Sequence, residues 1–303
     1  MASIVHSLGS ILVDLTVDVP VMPERGGDVL ATGTRTLPGG GFNLAAAVAR
    51  QGVRCVYAAP HGTGPYGDLI RAALAAEGVE VLLSPRAGGD SGFCVALVEP
   101  DGERTFVTVA GVEAAITADD LGRVRPQPGD IVSVSGYDLV YPGSGPVLAA
   151  WLPTLPGGVR VALDPGPLIA EIPAMPRTSI LTLNQREARL LAGLPHASGA
   201  ELLAAVKSGP ALTVVREGAH GCVATGGPLG DRVVSVPAPA VRAVDTTGAG
   251  DAHTGVLLAS LAAGRDPVEA LELATRAAAI AVTRIGPATT PAAAELSRLS
   301  PPA

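Results

Sequence analysis

The stretch Asp245-Thr246-Thr247-Gly248-Ala249-Gly250-Asp251-Ala252-His253-Thr254-Gly255 constrains this chain most. It follows an apolar, strand-compatible run, Val233 to Val244, that Pro237 and Pro239 interrupt, and it precedes a long Ala/Leu-rich run of helical character. The first amides of a helix have no intrahelical partner and point outward. Glycines let the chain curl so that several such amides converge on one anion. Gly248, Ala249 and Gly250 are therefore a candidate cradle for a phosphate, or for charge developing on one. Asp251 has two readings. It is a first-turn acid favoured by the helix dipole, or a general base that takes a proton from an alcohol attacking a phosphoryl group.

The rest of the chain alternates between β-type and helical runs. Val53 to Ala58 reads as a strand, Leu69 to Glu77 as a helix and Val79 to Leu83 as a strand. Further strands fall at Ile131 to Val134, Val159 to Asp164, Ile180 to Leu183 and Ala211 to Val215. Helices fall between them at Val147 to Leu155, through Leu191, and at Ala200 to Lys207. This is the βαβ pattern of a parallel sheet with helices on its faces. The 303 residues suffice for one large core, so we expect a single unit over 1–303. Ser91 to Val98 and Arg104 to Val109 are β-rich and joined through Asp101-Gly102, a hairpin cue. With strand-like runs at 11–19 and 29–37 they would form a small sheet outside the main body.

Composition removes several classes of function. The formal net charge is -7, and no basic run of five or more occurs, so a nucleic-acid partner is not expected. Cys55, Cys94 and Cys222 are odd in number and far apart, which argues against a disulfide framework or structural zinc. No stretch of 18 apolar residues and no signal-peptide pattern is visible, so no membrane partner and a cytoplasmic location are expected.

A second glycine-rich turn, Gly39-Gly40-Gly41-Phe42-Asn43, runs into an apolar helix, Leu44 to Arg50. Its glycines suit close approach of backbone to a ligand, and Asn43 offers both a donor and an acceptor. Asp14 and Asp18 interrupt an apolar strand, where a carboxylate needs solvent or a polar ligand. Asn184 and Glu187 have capping-box spacing. Gly62, Gly64 and Gly67 have dinucleotide-type spacing, but Pro65 interrupts it and no fitting acid follows.

The segment 245–251 resembles the C-terminal signature of the ribokinase (PfkB-type carbohydrate kinase) family, whose core reads Asp-Thr-x-Gly-Ala-Gly-Asp. The resemblance implies a three-layer α/β/α core with a small β-sheet lid, formed here by roughly 11–37 and 91–110. It implies that Asp251 is the catalytic base and that Gly248, Ala249 and Gly250 form the anion hole. The family's Gly-Ser-x-x-x-Asp pattern matches Gly9, Ser10 and Asp14, and its Asp holds sugar hydroxyls. Ribose-specific members carry Asn where Leu12 stands here, which speaks against ribose. The family's Gly-Gly-x-x-x-Asn motif falls one residue out of step, because Pro38 takes the first glycine's place. Gly39, Gly40, Gly41 and Asn43 are carried over as substrate contacts.

By the same resemblance, Asn184 and Glu187 organise Mg²⁺ and phosphates, with Glu187 acting through water. Gly218, Thr246, Gly248 and Gly250 contact ATP. Asp245, Thr247, Ala281, Arg284, Gly286 and Thr290 supply oxygens to a monovalent cation, K⁺. A homodimer through the lid is implied too. Relatives often have Phe where His253 stands. Some place a sugar-binding acid near Tyr137 or Asp138, with no firm match here. The activity implied is transfer of the γ-phosphoryl of ATP to a hydroxyl, expected to be primary, of a sugar-like acceptor. A nucleoside kinase, with Leu12, Phe93 or Phe106 against a base, is the alternative, and a non-catalytic sugar-binding or regulatory module is a second. A phosphorylated acceptor would need a cation such as Arg35, Arg104 or Arg160.

Overall fold

The computed structural model describes residues 2–172, 177–206 and 211–298. Its strands are β1 (Val5–Ser7), β2 (Ile11–Asp18), β3 (Gly33–Gly40), β4 (Cys55–Tyr57), β5 (Glu80–Val81), β6 (Phe93–Val98) and β7 (Arg104–Val109). They continue with β8 (Ile131–Ser135), β9 (Arg160–Asp164), β10 (Ile180–Asn184), β11 (Leu212–Arg216), β12 (Cys222–Thr225) and β13 (Val234–Val236). Nine form one sheet in the order β13-β12-β11-β10-β9-β8-β1-β4-β5. Its pairs are parallel from β11 through to β5, while β12 and β13 add an antiparallel edge. The middle strands β8 to β11 are apolar and buried along most of their length, as strands covered on both faces must be.

Parallel strands of one sheet bring their carboxyl ends to one edge, where such folds bind ligands. Asp164, Asn184 and Arg216 are the last residues of β9, β10 and β11, and Asn184 lies in register with Arg216. This edge faces the start of the helix Ala249–Ala262. Residues 252 to 262 of that helix are all buried. It packs between the helix Gly41–Arg50 and the helix Pro267–Ala281. A helix apolar on every side has to be enclosed in this way. The closest approach is at Gly255, where an added Cβ would lie 2.5 Å from Ala47 Cβ and 2.9 Å from the Leu44 carbonyl oxygen. The contact aligns the first turns of the two helices, and those turns carry Asn43 and Asp251. Truncating the wholly buried Leu257 to Ala would cost about 2–5 kcal/mol and loosen this alignment.

The second sheet has the order β3-β2-β6-β7 and forms the lid. The 99–103 turn closes the β6–β7 hairpin as the sequence suggests. Leu12, Asp14 and Thr16 share one face of β2, because side chains alternate along a strand. The lid runs to Gly40 rather than ending at 37, so Gly39 and Gly40 are strand residues paired with β2.

Several boundaries differ from expectation. Two helices start earlier, at Gly41 and Pro65 instead of 44 and 69, and the helix after the signature already begins at Ala249. Glycine or proline at a first turn is compatible with helix even where the apolar period has not begun. Of the run 233–244, only Val234–Val236 is strand, because Pro237 and Pro239 lack the N–H that pairing needs. The expected helix 200–207 is Gly199–Val206, and Lys207 lies outside the described residues. The three cysteines are buried and free. Gly62, Gly64 and Gly67 pack around Asp90, whose carboxylate accepts from the Tyr66 and Gly67 amides. That spacing belongs to a helix cap and not to a nucleotide loop.

Candidate active site

The Asn43 side-chain amide donates to Asp251 Oδ2 at 3.0 Å. Asn43 is 5% exposed, and its Oδ1 is buried without a partner. An orphaned buried acceptor is costly unless a ligand donor meets it. Burial raises the Asp251 carboxyl from 3.8 to about 6, and Asp164 and Asp14 add to the rise while Asn43 and Arg216 oppose it. Burial likewise raises Asp14 from 3.8 to about 6. Asp14 lies over Gly39, where an added Cβ would stand 2.0 Å from Asp14 Oδ2, so any larger residue would displace the carboxylate or the strand. Asp14, Gly39, Asn43 and Asp251 are thus brought together from the lid and from both helix starts. Gly40 caps the helix at φ 59°, and Gly41 packs against the Gly9 carbonyl, where a Cβ would be 2.2 Å from oxygen. Gly41 therefore serves backbone packing.

Gly248, at φ 74°, caps the helix that begins at Ala249. The Ala249 amide donates to the Thr246 carbonyl at 3.2 Å, closing the turn. Among the described residues the amides of Gly248, Gly250 and Asp251 have no partner. The open donors are therefore not the three amides expected from sequence. The Ala249 amide is turned inward, and that of Asp251 is added.

A cavity of about 670 Å³ lies beside these amides. Asn184, Arg216, Gly218, Thr246 and Gly250 line one part of it, and Ala238 to Val241 with Ala278, Ala279 and Val282 line the rest. The size, the apolar walls and the few convergent polar groups fit a nucleoside triphosphate. Glu187 and Gly248, also expected at the nucleotide, do not line it; Glu187 bonds to Asn184 and Gly248 precedes Ala249, both of which do. Glu187 accepts from the Asn184 backbone amide at 2.8 Å and from its side-chain amide at 2.5 Å, completing a capping box. Burial raises the Glu187 carboxyl, Asp164 adds to this, and Asn184 and Arg216 oppose it. No group of three or more His, Cys, Asp or Glu among the described residues could hold a metal. Magnesium is commonly held by one or two carboxylates, water and substrate phosphates, so Glu187 acting through water fits that ion.

The segments around 245–247 and 281–290 are tied together, since the Val244 and Asp245 amides both donate to the Val282 carbonyl. Their oxygens suit a monovalent cation in type. The Asp245 carboxylate already accepts from Thr247 N and Oγ1, from the Gly286 amide and, at 2.5 Å, from Arg104 of the lid. Burial pushes this carboxyl up, yet those donors hold it at about 2. Arg104 thus brings one positive charge from the lid to this carboxylate.

The other candidate residues are accounted for as follows. Asp138 is wholly buried and accepts from Ser10 and Ser135, which makes it a structural cap and not a sugar ligand. Arg35 pairs with Asp18, and Arg160 donates to the Gly129 and Leu261 carbonyls. With Arg104 on Asp245, none of these three arginines faces the acceptor. His253 is buried, lines the cavity and approaches Thr275 Oγ1 at 3.4 Å. Burial and Arg216 hold its imidazole neutral, down at about 3. Sequence reasoning missed the 238–241 wall. Pro237 and Pro239 signalled that the run 233–244 would not be a strand throughout. It also missed Arg216, which nothing local in the sequence marks.

A nucleotide-sized cavity reaching Gly250, whose neighbour in the chain is the Asp251 carboxylate, with open amides beside it at the carboxyl edge of an α/β sheet, is a layout for phosphoryl transfer to a small molecule. The chain belongs to the pfkB family of carbohydrate kinases, whose sequence profile matches residues 3–293. It is 34% identical over 300 residues to an uncharacterised sugar kinase of Escherichia coli (strain K12), covering 95% of this chain and 91% of that one. It is 29% identical over 282 residues to a ribokinase of Bacillus subtilis (strain 168), covering 92% of each. Among solved structures it resembles the Arabidopsis thaliana ribokinase complexed with ribose and ATP. There the TM-score is 0.79 at 26% identity, over 99% of this chain and 100% of that one. Membership supports ATP-dependent phosphoryl transfer. No helix among the described residues is long and apolar enough to cross a membrane.

Proposed function

We propose that this protein transfers the γ-phosphoryl of ATP to a hydroxyl, primary in the simplest case, of an unphosphorylated sugar or sugar-like polyol. The observation that carries the reading is the Asn43–Asp251 pair beside open helix-start amides, with Asp251 next in the chain to Gly250, which lines the nucleotide cavity. Asp251 Oδ2 is held by Asn43, and Oδ1 accepts no hydrogen bond from a described residue. Oδ1 is placed to take the proton as the acceptor oxygen attacks. The Gly248, Gly250 and Asp251 amides receive charge gathering on the transferred group. Asp14 and the free Oδ1 of Asn43 orient acceptor hydroxyls. Asn184 and Glu187 would hold Mg²⁺ through water, and the ion would supply positive charge against the phosphates.

Leu12 shares the face of β2 that carries Asp14 and offers no hydrogen bond, which favours an acceptor with an apolar or absent substituent there. The three arginines considered for an acceptor phosphate are all engaged elsewhere, which supports a neutral acceptor. Phe106 is 59% exposed and Leu37 40% exposed, on the lid face that also carries Asp14. That uncovered apolar surface supports a homodimer through the lid. It also keeps a nucleoside acceptor as the second reading, because Phe106 could stack on a base. A mass-spectrometric screen with ATP and Mg²⁺ over neutral sugars, polyols, sugar phosphates and nucleosides tests the proposal. A phosphorylated neutral sugar or polyol is expected. Product only from sugar phosphates or nucleosides would overturn the acceptor assignment, and ATP binding with no product anywhere would overturn the kinase reading.

A further inference from the structure

Arg216 is central to the site. Its side chain is 11% exposed. Nη1 lies 2.9 Å from the Gly250 carbonyl, 2.9 Å from Thr254 Oγ1 and 2.9 Å from Asp164 Oδ2. Nη2 lies 3.9 Å from Glu187 Oε2. Thr254 Oγ1 also donates to Asp164 Oδ2 at 3.1 Å, and Thr182 Oγ1 donates to the same oxygen at 3.0 Å. One guanidinium thus joins the ends of β9 and β11 to the first turns of the helix that presents the open amides. The fit is close, since a Cβ on Gly250 would stand 3.0 Å from Arg216 Nη1.

Asp164, Glu187 and Asp251 otherwise gather around the place where ATP would bring several more negative charges. Buried like charges of this kind are unfavourable without a counter-charge. A guanidinium suits the task because it stays protonated and its fork can serve several oxygens at once.

We propose that Arg216 is the positioning residue of this active site, fixing the amide-bearing turn through Gly250 and Thr254 and balancing Asp164, Glu187 and Asp251 so that triphosphate can enter. The proposal rests on the kinase reading above. The groups facing Asp251 are Asn43, Asp164, Arg216 and Asp14. Arg216 and Asn43 favour its ionised form, and the two carboxylates disfavour it.

The test compares R216M, R216K and R216M/D164N with the parent and with D251N in steady-state kinetics across pH, alongside calorimetric binding of ATP. R216M is expected to lose about 100-fold in kcat, as a misplaced reacting turn does. The acceptor KM should stay within about 3-fold, because acceptor contacts are untouched. Its acid limb should move to higher pH, since a positive charge beside the base is gone. ATP affinity should fall about 10-fold for loss of one charge-assisted contact. R216K keeps charge without the fork, so it should lose about 10-fold in kcat with the parent's acid limb. R216M/D164N should return the limb toward the parent, because a carboxylate leaves with the guanidinium.

Parent-like kcat in R216K and R216M would overturn the proposal. So would equal losses in both with an unmoved limb, which mark plain packing. If R216M is not recovered folded, R216K decides by the same criteria. A fully active D251N would remove the kinase reading itself, whereas an inactive D251N beside a parent-like R216M removes only the assignment of Arg216.

Discussion

Asn43 and Asp251 are 208 positions apart and meet in one hydrogen bond, 3.0 Å from amide nitrogen to carboxylate oxygen. The bond exists because Gly255 lets two helices touch, so that their first turns face each other. It orients the carboxylate and favours its ionised form. Asn43→Ala should lower kcat by about 10–100-fold, the scale of a lost hydrogen bond to a buried charged group. The acid limb of its pH–rate profile should rise relative to the parent. An N43A profile overlaying the parent's would show that the bond has no part in turnover.

The parent's own acid limb follows from the raised carboxyl of Asp251. Below about 6 the group is protonated and cannot accept a proton, and above it the rate reaches a plateau. The profile of kcat against pH checks this. A midpoint near 4 would mean that burial does not act on the reacting carboxylate.

The same burial sets a stability effect of opposite kind. A carboxyl raised in the folded state is disfavoured as an anion there, so it lowers stability progressively as pH rises from its unfolded value of about 4 to its folded value of about 6, and by the full amount above that. Asp251→Asn should therefore stabilise the fold at pH 8 by on the order of 1–2 kcal/mol, with partial solvent access reducing the effect. The gain should vanish below about pH 4, where the carboxyl is protonated whether folded or unfolded. Denaturant unfolding at both pH values measures it, and a D251N less stable than the parent at pH 8 would contradict it.

Gly39→Ala places a methyl group 2.0 Å from Asp14 Oδ2 in the present geometry. Either β3 or Asp14 must move. We expect the acceptor KM to rise about 10-fold or more while ATP binding stays within about 2-fold. Calorimetry with ATP and kinetics with the best acceptor separate the two, and an unchanged KM would remove Asp14 from the acceptor site.

Arg104 reaches from the lid to Asp245. Exchanging Na⁺ for K⁺ should therefore alter parent activity less than about 2-fold, because the carboxylate already has its cation. In Arg104→Met, K⁺ should stimulate more than in the parent and should raise the melting temperature. A parent strongly dependent on K⁺ would show that Arg104 leaves Asp245 in solution.

The sequence made the signature, the βαβ alternation and the β6–β7 hairpin legible, because glycine turns and apolar periods are local. The pairing of Asn43 with Asp251 was not legible, although each was marked separately, since neither carries a sign of the other. Arg216 was opaque for the same reason. Its four oxygen neighbours come from segments as far apart as β9 and the 249–262 helix, and only the sheet order unites them. The 238–241 wall is not legible as a wall, because the run 233–244 reads as strand-compatible with Pro237 and Pro239 interrupting it, and nothing local marks what the interruption faces. Only the resemblance points to Asp138 as a sugar-binding acid. Its spacing from Ser135 is that of a capping box, and the structure uses it so.

Single-turnover phosphoryl transfer from γ-labelled ATP, comparing Asp251→Asn with the parent at pH 8, tests the central claim most directly. The rate of label transfer should fall by about 10²–10⁴-fold, the range of a lost general base, with acceptor affinity within about 3-fold. Transfer by D251N at the parent's rate would contradict the account.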